Sequence, residues 1–180
     1  MSDRNIINME DDLMIFGCGQ EQVSELTDKI TKMTSPDEMK LVLIDSIGRF
    51  DCFYNDPHLL FQPIQDYEEQ RMFFAWLNKE IRRRLEAIAK EHLHNLEEYN
   101  QKCSEDKMPF ILVVIHEVTD VKLSENVEMA RALLYDDNAG VYFIVFTKAS
   151  KEELDLGTDL NMFKVIEYDD ALTLISSESA

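Results

Sequence analysis

Four short apolar runs constrain this chain more than anything else in it: "DLMIF" (12–16), "LVLID" (41–45), "FILVVI" (110–115) and "VYFIVFT" (141–147). They are continuous, whereas a strand with one wet face would alternate apolar and polar residues. A continuous run describes a strand covered on both faces, the situation of strands in a parallel sheet. A fifth run, "MFKVIEY" (162–168), predicts a last strand. Helical periodicity fills the spaces between them. The alternation predicts a three-layer α/β domain with a mostly parallel sheet, an α+β arrangement being the alternative.

The helices are read from apolar spacing. Val23, Leu26, Ile30 and Met33 recur at threes and fours and predict a helix over 20–33. Residues 66–91 carry the strongest pattern: Phe74, Leu77, Ile81, Leu85 and Ile88 form a stripe, with Lys79, Arg82, Arg83 and Glu86 on the other side. A short helix is predicted over 95–102 and another near 124–136, with Gly140 after it as a stop. "SIGRFDCFYNDPH" is irregular, broken by Gly48 and Pro57. Residues 1–12 read as a lead-in, 13–170 as one domain, and 171–180, ending "SSESA", as a tail.

Composition excludes several function classes. The 180 residues carry 45% hydrophobic side chains, enough for one domain with a real core. Net charge is −18, from 36 acidic against 18 basic residues. Nucleic-acid affinity comes largely from cations replacing counterions, so this balance disfavours a free-standing nucleic-acid binder and favours a basic partner. Cys18, Cys52 and Cys103 are far apart and have no zinc spacing, so they read as free thiols of a cytoplasmic protein and no metal site is expected. No segment has the apolar length of a membrane span.

The first strand leads directly into "GCGQEQVS" (17–24), and a helix follows. A working phosphate loop has this context and the pattern G-x-x-x-x-G-K-[ST]. Its glycines close backbone N–H groups around phosphate, its lysine neutralises charge, and its hydroxyl ligates Mg²⁺. Gly17 and Ser24 match the outer positions. Gln22 replaces the second glycine, Val23 replaces the lysine, and Glu21 adds negative charge. Gly19 makes the segment Gly-x-Gly, which is equally a simple strand–helix turn. At the other candidate position, the run 111–115 ends in His116 and Glu117, where a metal-binding aspartate would be expected to precede the glutamate.

The middle of the chain strengthens this reading. "PHLLFQPIQD" (57–66), "WLNKEIRRRLEAIAKEHLHNLEEYNQK" (76–102) and "MPFILVVIHEVTDV" (108–121) closely resemble the motor core of FtsK/SpoIIIE DNA translocases. Secretion ATPases of the EssC/EccC kind share these signatures. The resemblance runs from Leu13 to Thr147 and on toward Tyr168. It implies a three-layer RecA-like P-loop NTPase core, truncated relative to the family, in a fold that assembles as rings or tandem domains.

By position, the resemblance places "GCGQEQVS" on the Walker A loop and "ILVVIHE" on the Walker B strand. It makes Glu117 the acid that would polarise water, and Thr147 the strand-end residue that would sense the γ-phosphate. Val23 and His116 fall where the lysine and the metal-binding aspartate belong. A protein with both replaced is expected to be a pseudo-ATPase without cofactor. It would act through a protein partner: an FtsK-like or secretion ATPase, or another copy of itself. The alternatives are a divergent ATP- and Mg²⁺-dependent translocase using Glu117, and an acidic inhibitor that mimics DNA.

Two further features are read as framework. The "RRR" run (82–84) is a solvated face paired with nearby glutamates, its functional alternative being a subunit interface or DNA-facing patch. Trp76 is a core residue, not a base-stacking platform. His92 and His94, two apart, fit helix-end or loop positions better than a metal pair.

Overall fold

The computed structural model describes residues 12–117, 132, 137–149 and 163–176. Five strands form one sheet: β1 (Leu13–Phe16), β2 (Met39–Ile44), β3 (Phe110–Ile115), β4 (Val141–Phe146) and β5 (Lys164–Glu167). Their order is β2-β3-β4-β1-β5, and every neighbouring pair is parallel. The continuous apolar runs are explained by this arrangement. Alternate residues of β1 to β4 enter two separate cores, while on the outermost strand β5 only Val165 and Ile166 pack against them and Lys164 and Glu167 are exposed.

One core joins Met14, Phe16, Val42, Ile44, Val113, Ile115, Phe143 and Val145 to the long helix α2 (Tyr67–Lys90). The other joins Leu13, Ile15, Leu41, Leu43, Leu112, Val114, Ile144 and Phe146 to α1 (Gln20–Met33). The chain order accounts for the two sides. From β1 the chain travels past β4 and β3 to reach β2, and from β2 it steps back through β3 and β4. Right-handed crossovers in opposite directions put their helices on opposite faces.

Helix α2 starts where Asp66 caps it, its carboxylate accepting from the Glu68 N–H at 2.7 Å. Of the expected stripe, Phe74, Leu77, Ile81 and Ile88 are buried and Leu85 packs at the margin. The helix ends in a Schellman motif, with Leu93 N–H donating to the Ile88 carbonyl (3.1 Å) and His92 N–H to that of Ala89 (3.0 Å). His92 holds the left-handed position at φ 60° that glycine usually takes. Beyond it, α3 (Leu96–Lys102) is capped by Asn95, whose side chain accepts from Glu98 N–H.

Three details depart from the sequence reading. Strand β2 begins at Met39, because Met39 and Lys40 already pair with Phe110 and Ile111. Strand β5 is shorter than expected and passes without a break into α4 (Tyr168–Ser176), whose Ala171 is fully buried against the α1 side of the sheet. In the arginine run, Arg83 is exposed and paired with Glu80, but Arg84 is only 3% exposed. Its guanidinium bonds Glu80 at 2.9 Å and the Ala139 carbonyl at 3.1 Å, tying α2 to the turn that feeds β4. The helix expected near 124–136 lies outside the described residues apart from Ala132, which is helical and buried.

The "PHLLFQPIQD" segment lies along the outer edge of β2, bridging it in parallel at Leu41–Leu59 and Ile44–Ile64. Leu41 N–H donates to His58 O, Leu60 N–H to Leu41 O, and Ile64 N–H to Leu43 O. His58 is itself held, its ring nitrogens 2.8 Å from Asp56 and 3.1 Å from the Thr34 carbonyl. This segment occupies backbone groups that an open edge strand would leave to another chain.

Candidate functional site

A ligand site in a sheet of this type is expected at the carboxyl ends of the strands, where neighbouring connections diverge. Here that point lies between β1 and β4, since the chain leaves β1 toward β2 and leaves β4 toward β5. Residues 17–19, Asp45, His116–Glu117, Thr147 and Glu167 lie at this edge. Of the sequence-predicted residues, Gly17, Gly19, His116, Glu117 and Thr147 lie at this edge, while Gln22, Val23 and Ser24 belong to α1.

The candidate phosphate loop is a three-residue turn. Strand β1 ends at Phe16 and α1 begins at Gln20, so Gln20–Ser24 are helical. Gly17 is exposed at φ +69°, the left-handed conformation that lets the chain turn here. Gly19 caps α1, and the Gln22 side chain accepts the Gly19 N–H at 2.7 Å. That N–H is of the kind a phosphate loop would present to an anion. Val23 is fully buried in the core beneath α1. Ser24 is half-buried and Glu21 is exposed.

The ends of β1, β3 and β4 are stitched together. Thr147 N–H donates to Ile15 O and Cys18 N–H to Thr147 O, both at 3.0 Å. Thr147 is fully buried, and its hydroxyl accepts from Ala149 N–H at 3.2 Å. Glu117 accepts the backbone N–H of Lys148 at 3.0 Å, which holds its carboxylate against the β4 exit.

His116 is 2% exposed, and the Phe50 ring meets its imidazole edge-on, with centroids 5.3 Å apart. Phe50 is placed by the loop after β2, which Asp45 organises. The Asp45 carboxylate accepts from the backbone N–H groups of Ile47, Arg49 and Phe50 and from Arg49 Nε. Burial alone would raise its pKa. The Arg49 side chain and the backbone donors outweigh burial and hold it below the ordinary carboxylate value.

Cys18, the middle residue of the turn, is 2% exposed. Burial first, then the charges of Glu167 and Glu117, push its thiol up to about 12. The Tyr168 hydroxyl donates to Glu25 at 3.1 Å. The Cys18, Asp45, Phe50 and Lys148 contacts were not legible from motif spacing, because they join loops far apart in sequence. Among the described residues no cluster of three or more His, Cys, Asp or Glu is placed to hold a metal ion, and no helix is long and apolar enough to cross a membrane.

The parallel sheet, its helical layers and its switch point define a RecA-like P-loop ATPase fold. EssC (ATPases 2 and 3) from Geobacillus thermodenitrificans shares this architecture with a TM-score of 0.70 at 18% identity, over 88% of this chain and 32% of that one. Residues 23–156, more than half of the chain, match the model of the FtsK/SpoIIIE family, and the chain belongs to that family. It is 30% identical over 137 residues to the DNA translocase FtsK of Campylobacter jejuni, covering 68% of this chain and 14% of the relative. It is 24% identical over 146 residues to that of Caldanaerobacter subterraneus, covering 75% and 20%. The chain thus spans a fifth or less of the length of these relatives.

Proposed function

We propose that this is an FtsK-like domain that has given up nucleotide chemistry and acts by binding a protein partner. The observation that carries the reading is the pair Gln22–Val23. Where the family motif needs a glycine and a phosphate-binding lysine, Gln22 holds the turn's own N–H and Val23 is buried in the core. Hydrolysis requires phosphate cradling, Mg²⁺ coordination and an acid to orient water. The side chains present do not fit a Mg²⁺–triphosphate: His116 is buried against Phe50, and Glu117, Glu21 and Glu167 add repulsion. The framework elements are intact, including the covered β2 edge and the Arg84 tie. That combination suits a subunit or regulator of a translocase or secretion ATPase.

A second reading, a divergent ATPase, draws on Lys148, which is exposed at the same edge beside Glu117 and is a candidate substitute cation. Phosphate release from ATP separates the two. The proposal expects no turnover above a heat-inactivated control. Turnover that is lost in both Glu117→Gln and Lys148→Ala would overturn it.

A further inference from the structure

Among the described residues, the large apolar side chains left exposed are Ile47, Tyr54, Phe61, Tyr67 and Met72. They fall within one stretch of the sequence, between positions 47 and 72. Tyr54, Phe61 and Met72 line a groove of 610 Å³, with Phe73 and Trp76 behind them. Its volume is typical of a binding pocket.

The walls are preorganised. Phe61 stands edge-on to Trp76 (centroids 5.1 Å apart) and to Phe73 (6.2 Å), and Phe73 and Trp76 stack at 6.1 Å. The backbone carrying Phe61 is fixed by the bonds of Leu60 and Ile64 to β2. Rigid aromatic walls lose little conformational entropy when covered, which is the profile of an interface centre.

Charge selects the occupant. Among the described residues, Glu69 is the one charged residue lining the groove. Asp66 and Glu68 sit beside it on the first turn of α2, and Arg71 is already paired with Glu68 at 3.0 Å. Exposed Asp51 lies near Gln65, itself a lining residue, the two side chains flanking Gly48. An apolar centre inside an acidic rim matches a segment with bulky aliphatic or aromatic anchors flanked by lysine or arginine.

We infer that this groove docks a basic, apolar-anchored peptide segment of a partner protein. The inference rests on the interaction-module reading and names the partner's chemistry. Trp76 is the chain's single tryptophan and lines the groove, so its fluorescence reports occupancy directly. The probes are three tryptophan-free nonapeptides: KRLFKLLRK, its acidic counterpart EELFELLEE, and the basic but polar KRSSKSSRK.

In about 0.15 M salt, where long-range attraction is screened, KRLFKLLRK is expected to shift Trp76 emission saturably, and the other two are not. Tyr54 and Met72 are 49% and 65% exposed, so Tyr54→Ala and Met72→Ala leave the fold intact. Each should raise the Kd about fivefold, the loss of about 1 kcal/mol of anchoring. Glu69→Lys should weaken the basic peptide and admit the acidic one.

Equal response to the acidic and basic peptides, no response to any, or a Kd unmoved by both alanine variants would overturn the inference. So would a dimer in sedimentation that Tyr54→Ala and Met72→Ala dissolve, since a second copy would then be the occupant. ATP turnover would overturn the pseudo-ATPase reading and leave these peptide results standing, so the two failures are distinguishable.

Discussion

Restoring the motif lysine is the most informative perturbation, because two readings of Val23 predict opposite results. If the position faces a phosphate site, Val23→Lys repairs it. If it belongs to the core, as its full burial among Leu13, Ile15, Leu26 and Phe146 indicates, the change is a core defect. The lost valine burial is worth about 1.5 kcal/mol. Forcing a longer stem into packed space costs about 1–3 kcal/mol more, and an ammonium that cannot fully reach water adds to this. The sum is about 4 kcal/mol, or a fall in Tm of roughly 8–16 °C for a chain of this size. Gln20→Lys is the control, since it adds the same charge at an exposed position in the same turn and should stay within about 0.5 kcal/mol of wild type. Thermal unfolding of the two variants, with and without Mg²⁺–ATP, decides the matter. A Val23→Lys protein as stable as the control and further stabilised by nucleotide would refute the reasoning.

Four further outcomes are expected. Arg84→Ala strands the buried Ala139 carbonyl while Glu80 keeps Arg83, so denaturant unfolding should show a loss of about 3 kcal/mol against less than about 0.5 for exposed Arg82→Ala; equal losses would remove Arg84 from the framework. His92→Gly relieves a left-handed residue outside the core and should raise stability by up to about 1 kcal/mol, with a decrease counting against the Schellman assignment. The Cys18 thiol and Tyr168 hydroxyl are each pushed up to about 12, from 9.0 and 10.0, mainly by burial. The unfolded chain therefore loses these protons first, and stability should fall as pH rises from about 9 toward 12. At pH 8 a thiol reagent should modify exposed Cys52 and spare Cys18 until the protein unfolds.

Much of the fold was legible because one physical rule acts locally: a strand buried on both faces must be apolar throughout. That rule located β1 to β4, and spacing located α1 and α2. Arg84 was legible in part, since it falls between Ile81 and Ile88 on the buried stripe, but three adjacent arginines look alike until the Ala139 carbonyl is placed beside one of them. Helix α4 was missed because "KVIEYDDALTLIS" passes from strand to helix with no glycine or proline. Asp169 and Asp170 in its first turn were the available signal. The aromatic groove was least legible. Its walls come from the loop after β2 and from α2, and Trp76 reads as core until its partly covered ring is found lining an open groove.

The candidate site shows the same division. The strand–glycine–helix pattern pointed to Gly17, and the family resemblance pointed to Glu117 and Thr147, at what the structure makes one edge of the sheet. Neither could show that Gln22 caps the turn, that Phe50 meets His116, or that Lys148 N–H holds Glu117. Those contacts depend on chain crossovers, which no local pattern encodes.

The central claim is tested most directly by calorimetric titration of the concentrated protein with ATP, with and without Mg²⁺. No saturable heat is expected in either condition, because buried Val23 and His116 stand where the motif lysine and the metal-binding aspartate belong. Saturable binding that requires Mg²⁺ would contradict it.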